Sequence, residues 1–104
     1  MQLMIKAEHG LLRAAFTGEL DQYSSERARV ELDRALDDTR ITRIEFDLKG
    51  TTFMDSSGIG VILGRYRKVM KRGGTMGISN ARGSVDRLLR LSGVYTLCTE
   101  RSSK

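Results

Sequence analysis

Between Ile44 and Met70 the spacing of apolar residues changes period. Ile44, Phe46 and Leu48 alternate with Glu45 and Asp47, the two-residue repeat of a strand with one core face and one polar face. From Ile59 onward, Ile62, Leu63, Tyr66, Val69 and Met70 fall at offsets of three, four, seven, ten and eleven, which is one buried stripe of a helix. A strand handing over to a helix in this way is a β-α unit, and the rest of the chain repeats the pattern. Leu3, Ile5 and Ala7 alternate, His9-Gly10 supplies a turn, and Leu12, Ala14 and Phe16 alternate again, which predicts a hairpin. Ser24 or Ser25 is expected to cap a first helix carrying Ala28, Leu32, Ala35 and Leu36 and ending near Asp37-Asp38-Thr39. Lys49-Gly50 is expected to close the third strand, and the second helix to run from about Ser56 to Arg72 before Gly73-Gly74. Thr75 to Ser79 reads as a fourth strand. Ser84 reads as the cap of a third helix that ends at Gly93, and Val94 to Thr99 as a fifth strand.

The expected order is therefore ββαβαβαβ. Right-handed crossovers make the sheet mostly parallel, and the hairpin makes it mixed. This is a single α/β domain over residues 1–104: a mixed, mostly parallel five-stranded sheet with helices chiefly on one face. No run of about eighteen apolar residues could span a bilayer, and no apolar segment follows a basic N-terminus, so a cytoplasmic protein without a membrane partner is expected.

The chemistry of the chain is narrow. One histidine, His9, falls in a turn, and one cysteine, Cys98, falls in an apolar run as a structural thiol. No Cys/His cluster has metal-ligand spacing, and no glycine pattern matches a phosphate loop or a dinucleotide fingerprint. No catalytic residue, metal or cofactor is expected, and the chain is read as a non-enzyme. The net charge of +5 raises the question of nucleic acid. Arg65, Arg67, Lys68, Lys71 and Arg72 concentrate late in the second helix, but no aromatic residues interleave with them as a stacking platform would need. They read as a solvated helix end or as steering for an acidic protein partner, and no nucleic-acid partner is expected.

The strongest functional pattern is Phe53-Met54-Asp55-Ser56-Ser57-Gly58-Ile59-Gly60-Val61-Ile62-Leu63-Gly64-Arg65-Tyr66. It puts a carboxylate and two hydroxyls at the start of a helix, where orphaned N–H groups and the helix dipole favour negative charge. Gly58, Gly60 and Gly64 would let neighbouring backbone or a partner approach the first turns closely. Asp55 disfavours a free anion at this place. A phosphate delivered covalently to a serine would be held regardless. The residues alone do not choose between Ser56 and Ser57.

The segment from Met54 to Arg67 resembles the signature of the anti-sigma factor antagonists, the small STAS-domain proteins of partner-switching regulation, and Gly64-Arg65-Tyr66 resembles their sporulation branch. Thr17-Gly18-Glu19-Leu20-Asp21 resembles the family's turn after the second strand, and Ser79 to Gly93 its third-helix region ending in Leu-Ser-Gly. The chain departs from the family at Glu100-Arg101-Ser102-Ser103-Lys104, where many members continue into another helix. The resemblance implies a phosphoprotein that acts in transcription regulation. Its unphosphorylated form would bind an anti-sigma factor serine kinase carrying ATP or ADP and free the sigma factor, phosphorylation would release it, and a PP2C-type phosphatase would reset it. Carried over, the phosphoacceptor is Ser56, and the partner-facing residues are Asp21, Asp55, Ser57, Gly58, Gly60 and Arg65. Alternatives are a general-stress antagonist or a STAS scaffold subunit and, from another class, a small nucleotide-binding protein.

Overall fold

The computed structural model describes residues 1–99, so expectations that fall on residues 100–104 lie outside the described residues. Two strands open the chain, β1 (Gln2–Glu8) and β2 (Leu11–Leu20). They are joined by a two-residue turn in which His9 and Gly10 both have positive φ, 53° and 79°. That geometry matches the strand twist of a tight hairpin. Then follow α1 (Ser25–Ala35), β3 (Arg43–Met54), α2 (Ser56–Met70), β4 (Thr75–Ser79) and α3 (Gly83–Ser92). The sheet order is β1-β2-β3-β4, with β1 antiparallel to β2 and the other pairs parallel.

The alternation in the sequence sets the layers. Leu12, Ala14 and Phe16 of β2, Ile44, Phe46 and Leu48 of β3 and Met76 of β4 are buried together with Ala28 and Leu32 of α1, Ile62 and Val69 of α2, and Val85 and Leu89 of α3. Phe16 and Phe46 stack across the β2–β3 pair with ring centroids 6.1 Å apart. The other sheet face carries a polar ladder. Arg43 bonds Glu45 at 3.0 Å, Thr75 Oγ1 at 2.9 Å and the Thr99 carbonyl at 3.0 Å.

Four expectations are corrected. The sheet among the described residues has four strands: Val94–Leu97 is a 3₁₀ turn that follows Gly93 at φ 80°. Its amides bond locally, Thr96 to the Gly93 carbonyl and Cys98 to that of Tyr95, and only the Thr99 N–H reaches the β4 edge, at the Met76 carbonyl. Strand β3 does not stop at Lys49-Gly50 but runs on to Met54. Gly50 lies where the β2–β3 register shifts after Ala15, and a Cβ there would come within 3.0 Å of Thr17 Oγ1, so this glycine accommodates an irregularity instead of ending the strand. The Thr17–Leu20 segment is the end of β2, and the turn begins only at Asp21. Finally, no serine caps α1 or α3 through its side chain. Ser24 occupies the N-cap position of α1 without capping it, and Ser84 lies inside α3, which starts after Arg82.

Candidate functional site at the start of α2

The carboxyl ends of β2 and β3 lie side by side, with Leu20 in register with Met54, and the Asp55 N–H reaches the Leu20 carbonyl at 3.4 Å. The loops that begin at Asp21 and Asp55 therefore share one edge of the sheet. Asp55 is extended, with φ −119° and ψ −169°, and caps α2: its Oδ1 accepts from the Ser57 N–H at 2.9 Å and from the Gly58 N–H at 3.4 Å. Two of the helix's orphaned donors are thereby satisfied, with a charge placed favourably at the positive end of the dipole.

Ser56 is the first helical residue and is exposed, whereas Ser57 is half-buried. Neither hydroxyl has a hydrogen-bond partner among the described residues. The two adjacent side chains project about 100° apart around the helix, so one of them faces solvent and the other the body of the protein.

The glycines divide. Gly58 is buried, and a Cβ on it would lie 2.6 Å from Met54 Cγ and 2.9 Å from the Leu20 carbonyl oxygen. It seats α2 against the ends of β2 and β3. Gly60 and Gly64 have nothing within 4 Å of a built Cβ, so no part of the described chain requires them to be small.

Asp21 organises the turn into α1. Its Oδ1 accepts from the Tyr23 N–H at 3.0 Å, the Ser24 N–H at 3.1 Å and the Ser24 hydroxyl at 3.2 Å. Its carbonyl accepts from the Ser25 hydroxyl at 2.6 Å. These bonds, the Ser24 amide first, hold its carboxyl below the usual carboxylate range. A shallow groove lined by Gly18, Glu19, Asp21, Tyr23, Ser24 and Thr52 runs along the same edge, and Tyr23 is 84% exposed.

Arg65 does not join this edge. It is only 5% exposed and lies nine residues beyond Ser56, about 13 Å along the helix. Its Nε sits 2.9 Å from Asp33 Oδ1 of α1 without hydrogen-bond alignment, and burial draws its guanidinium pKa down. Placing it among the partner-facing residues is corrected by its burial: a large cation near the end of a Gly-Arg-Tyr string looks surface-bound until α1 is packed over it. The basic end of α2 thins in the same way. Arg72 donates to the Ile41 carbonyl at 3.0 Å and the Asp38 carbonyl at 3.2 Å, and also bonds that of Leu36, while Lys68 pairs with Asp33. Only Arg67 and Lys71 of that cluster remain exposed without an ion pair among the described residues.

No group of three or more His, Cys, Asp or Glu residues among the described residues is arranged to hold a metal ion, and no helix there is long and apolar enough to cross a membrane. The seating role of Gly58 was not separable from docking, since a glycine's letter does not say which side of the helix is crowded.

A mixed sheet backed by helices, with an exposed serine opening the second helix, is the architecture of a STAS domain, and the chain belongs to that family, which it matches over residues 2–101. It is 40% identical to the anti-sigma F factor antagonist of Paenibacillus polymyxa, over 93% of this chain and 85% of that one. It is 30% identical to the anti-sigma-B factor antagonist of Bacillus subtilis (strain 168), over 86% of this chain and 81% of that one. Its fold is similar to that of the Bacillus cell fate determinant SpoIIAA in the phosphorylated form, with a TM-score of 0.74 and 24% identity over 98% of this chain and 93% of that one.

Proposed function

We propose that the chain is an anti-sigma factor antagonist whose binding to its partner is switched by phosphorylation of Ser56. The observation that carries this reading is the exposed, unpartnered Ser56 hydroxyl on the first residue of a helix fixed by its Asp55 cap and its Gly58 seat. A kinase needs an accessible acceptor held still relative to its bound nucleotide, and this helix start offers one. The Paenibacillus relative, an anti-sigma F factor antagonist, supports the class of partner. Its greater identity than that of the anti-sigma-B relative favours the sporulation branch over general stress.

In this reading the unphosphorylated protein lays the Asp21–Asp55 edge, including Ser57 and the open backbone at Gly60, against an anti-sigma factor serine kinase carrying ATP or ADP, and the sigma factor is released. Catalysis belongs to the partner. Phosphoserine brings about −1.5 to −2 of charge at pH 7 to an edge that already holds two carboxylates. Set against acidic or desolvated partner groups, it would cost several kcal/mol, or roughly a hundredfold or more in affinity. No refolding is required, and a PP2C-type phosphatase restores the hydroxyl in the cytoplasm.

The test is incubation with the cognate anti-sigma kinase and ATP, followed by mass spectrometry and a binding assay. Phosphate on Ser56 together with loss of the complex supports the proposal. A stoichiometric complex that survives phosphorylation overturns it.

A further inference from the structure

Among the described residues, strand β1 is a free edge of the sheet. The opposite edge, at β4, is met by the Thr99 N–H on the Met76 carbonyl at 2.8 Å, whereas no strand among the described residues pairs with the outer side of β1. Gln2, Met4, Lys6, Ala7 and Glu8 are exposed, and Leu3 and Ile5 are half-buried. The strand pairs with β2 without a bulge from Gln2–Thr17 to Glu8–Leu11, so its outer side is regular as well. A tight hairpin closes on a hydrogen-bonded pair. With Glu8 opposite Leu11, the pairs Glu8–Leu11, Lys6–Arg13, Met4–Ala15 and Gln2–Thr17 exchange bonds, and the N–H and C=O groups of Leu3, Ile5 and Ala7 point outward. An edge of this kind is a template for another strand.

We infer that the occupant is a second copy of this chain, joined β1 to β1 antiparallel with Ile5 opposite Ile5 of the second copy. The sequence of the strand is most fully self-complementary in this register. Leu3 faces Ala7 and Ile5 faces Ile5 on the helix side, so the half-buried aliphatic side chains complete their burial. On the open side Lys6 faces Met4 and Glu8 faces Gln2, so no like charges meet. Moving the centre one residue toward the turn puts Lys6 opposite Lys6. Moving it one residue the other way leaves Ala7 facing Met1, outside the strand. In the Ile5-centred register every outward amide and carbonyl of Leu3, Ile5 and Ala7 is paired. Two four-stranded sheets become one continuous sheet, and no residue of the Ser56 site is used.

The test uses the full chain. Raising the protein concentration should convert the sedimenting species from monomer to dimer and slow amide exchange several-fold at Leu3, Ile5 and Ala7. Met4 and Lys6, whose amides already bond β2, should not change. Ala7→Pro removes one outward donor without touching a β2 bond and should abolish the dimer. Independently of that variant's folding, Met4 and Lys6 of opposite copies form a close pair. In a Cys98→Ser background, a mixture of Met4→Cys and Lys6→Cys proteins should cross-link under mild oxidation, while neither protein alone should. A monomer with unchanged exchange at the highest soluble concentration overturns the inference, as does cross-linking of Met4→Cys with itself.

Discussion

Arg65 of α2 lies 2.9 Å from Asp33 of α1, and the charge of one helix is thereby locked beneath the other. Lys68 reaches the same Asp33 oxygen at 2.9 Å from the solvent side. One carboxylate thus serves two cations of unlike burial. Asp33→Ala should leave a buried guanidinium uncompensated and cost about 2–4 kcal/mol, somewhat below the roughly 3–5 kcal/mol of fully buried pairs because Asp33 is itself partly exposed. Lys68→Gln, by contrast, should cost less than about 1 kcal/mol. Urea unfolding of both variants measures the difference, and equal losses would show that the pair is not the tie between the helices.

The acceptor serine is tested by asymmetry. Ser56→Ala should block phosphorylation yet keep the kinase complex, and Ser56→Asp should weaken that complex by placing a smaller permanent charge at the contact. Ser57→Ala should still be phosphorylated. Mass spectrometry of the three variants after incubation with kinase and ATP decides the matter, and phosphate found only on Ser57 would falsify the assignment.

Glycines at 58 and 60 should respond in opposite directions. Gly58→Ala forces a Cβ into Met54 and the Leu20 carbonyl, and should destabilise by about 1–3 kcal/mol. Gly60→Ala meets nothing and gains helix propensity, so it should stabilise by about 0.5–1 kcal/mol. If the kinase packs on this face, the same Gly60→Ala protein should bind it more weakly while melting higher. Unchanged affinity would remove Gly60 from the interface.

Asp21 combines a turn role with a proposed contact, and Asp21→Asn separates the two. The amide oxygen can still accept from Tyr23 and Ser24, so the melting midpoint should stay close to wild type, whereas Asp21→Lys loses the acceptor and should melt lower. Both variants should weaken the kinase complex by removing the charge. Wild-type affinity for Asp21→Asn would show that charge at this position is not read.

The pH dependence follows from carboxylates held below their ordinary pKa. Hydrogen bonds from the Arg40 side chain lower Asp38 to about 2, and Asp21, Asp47 and Asp86 are lowered too. Because the folded values lie below the unfolded value of 3.8, their contribution is present above that value and is lost as pH falls through the folded ones, which for Asp38 means through about 2. On the alkaline side, burial and the bond to Asp86 push Tyr95 up to about 12. Its contribution is present below the ordinary value of 10.0 and is lost as pH rises through about 12. Chemical-denaturation midpoints should therefore form a plateau with an acid shoulder below pH 4, and a midpoint that rises on acidification would contradict this account.

Much of this architecture was legible from periodicity. The His9-Gly10 hairpin, the 75–79 strand and the start of α2 at Asp55-Ser56 stand where the sequence puts them, because each is fixed by local chemistry: two positive φ values, a short apolar alternation, and a carboxylate cap. Val94 to Thr99 misled because its side chains favour strands. The backbone there is decided by neighbours that periodicity cannot see, with Gly93 turning the chain and Tyr95 donating its hydroxyl to Asp86 at 2.6 Å. Arg65 misled for the converse reason. A charged letter is read as surface unless its counter-ion, thirty-two positions earlier on another helix, is known to be adjacent.

The Asp55 cap and the Gly58 seat leave the start of α2 little room to move. Under the proposed switch the protein would keep its state in a single ester bond and not in a second shape, so that state could not decay by thermal relaxation of the fold. How long the signal persists would then be a property of the enzyme that cleaves the bond, and a cell could retune the memory of this circuit without altering one residue of the chain.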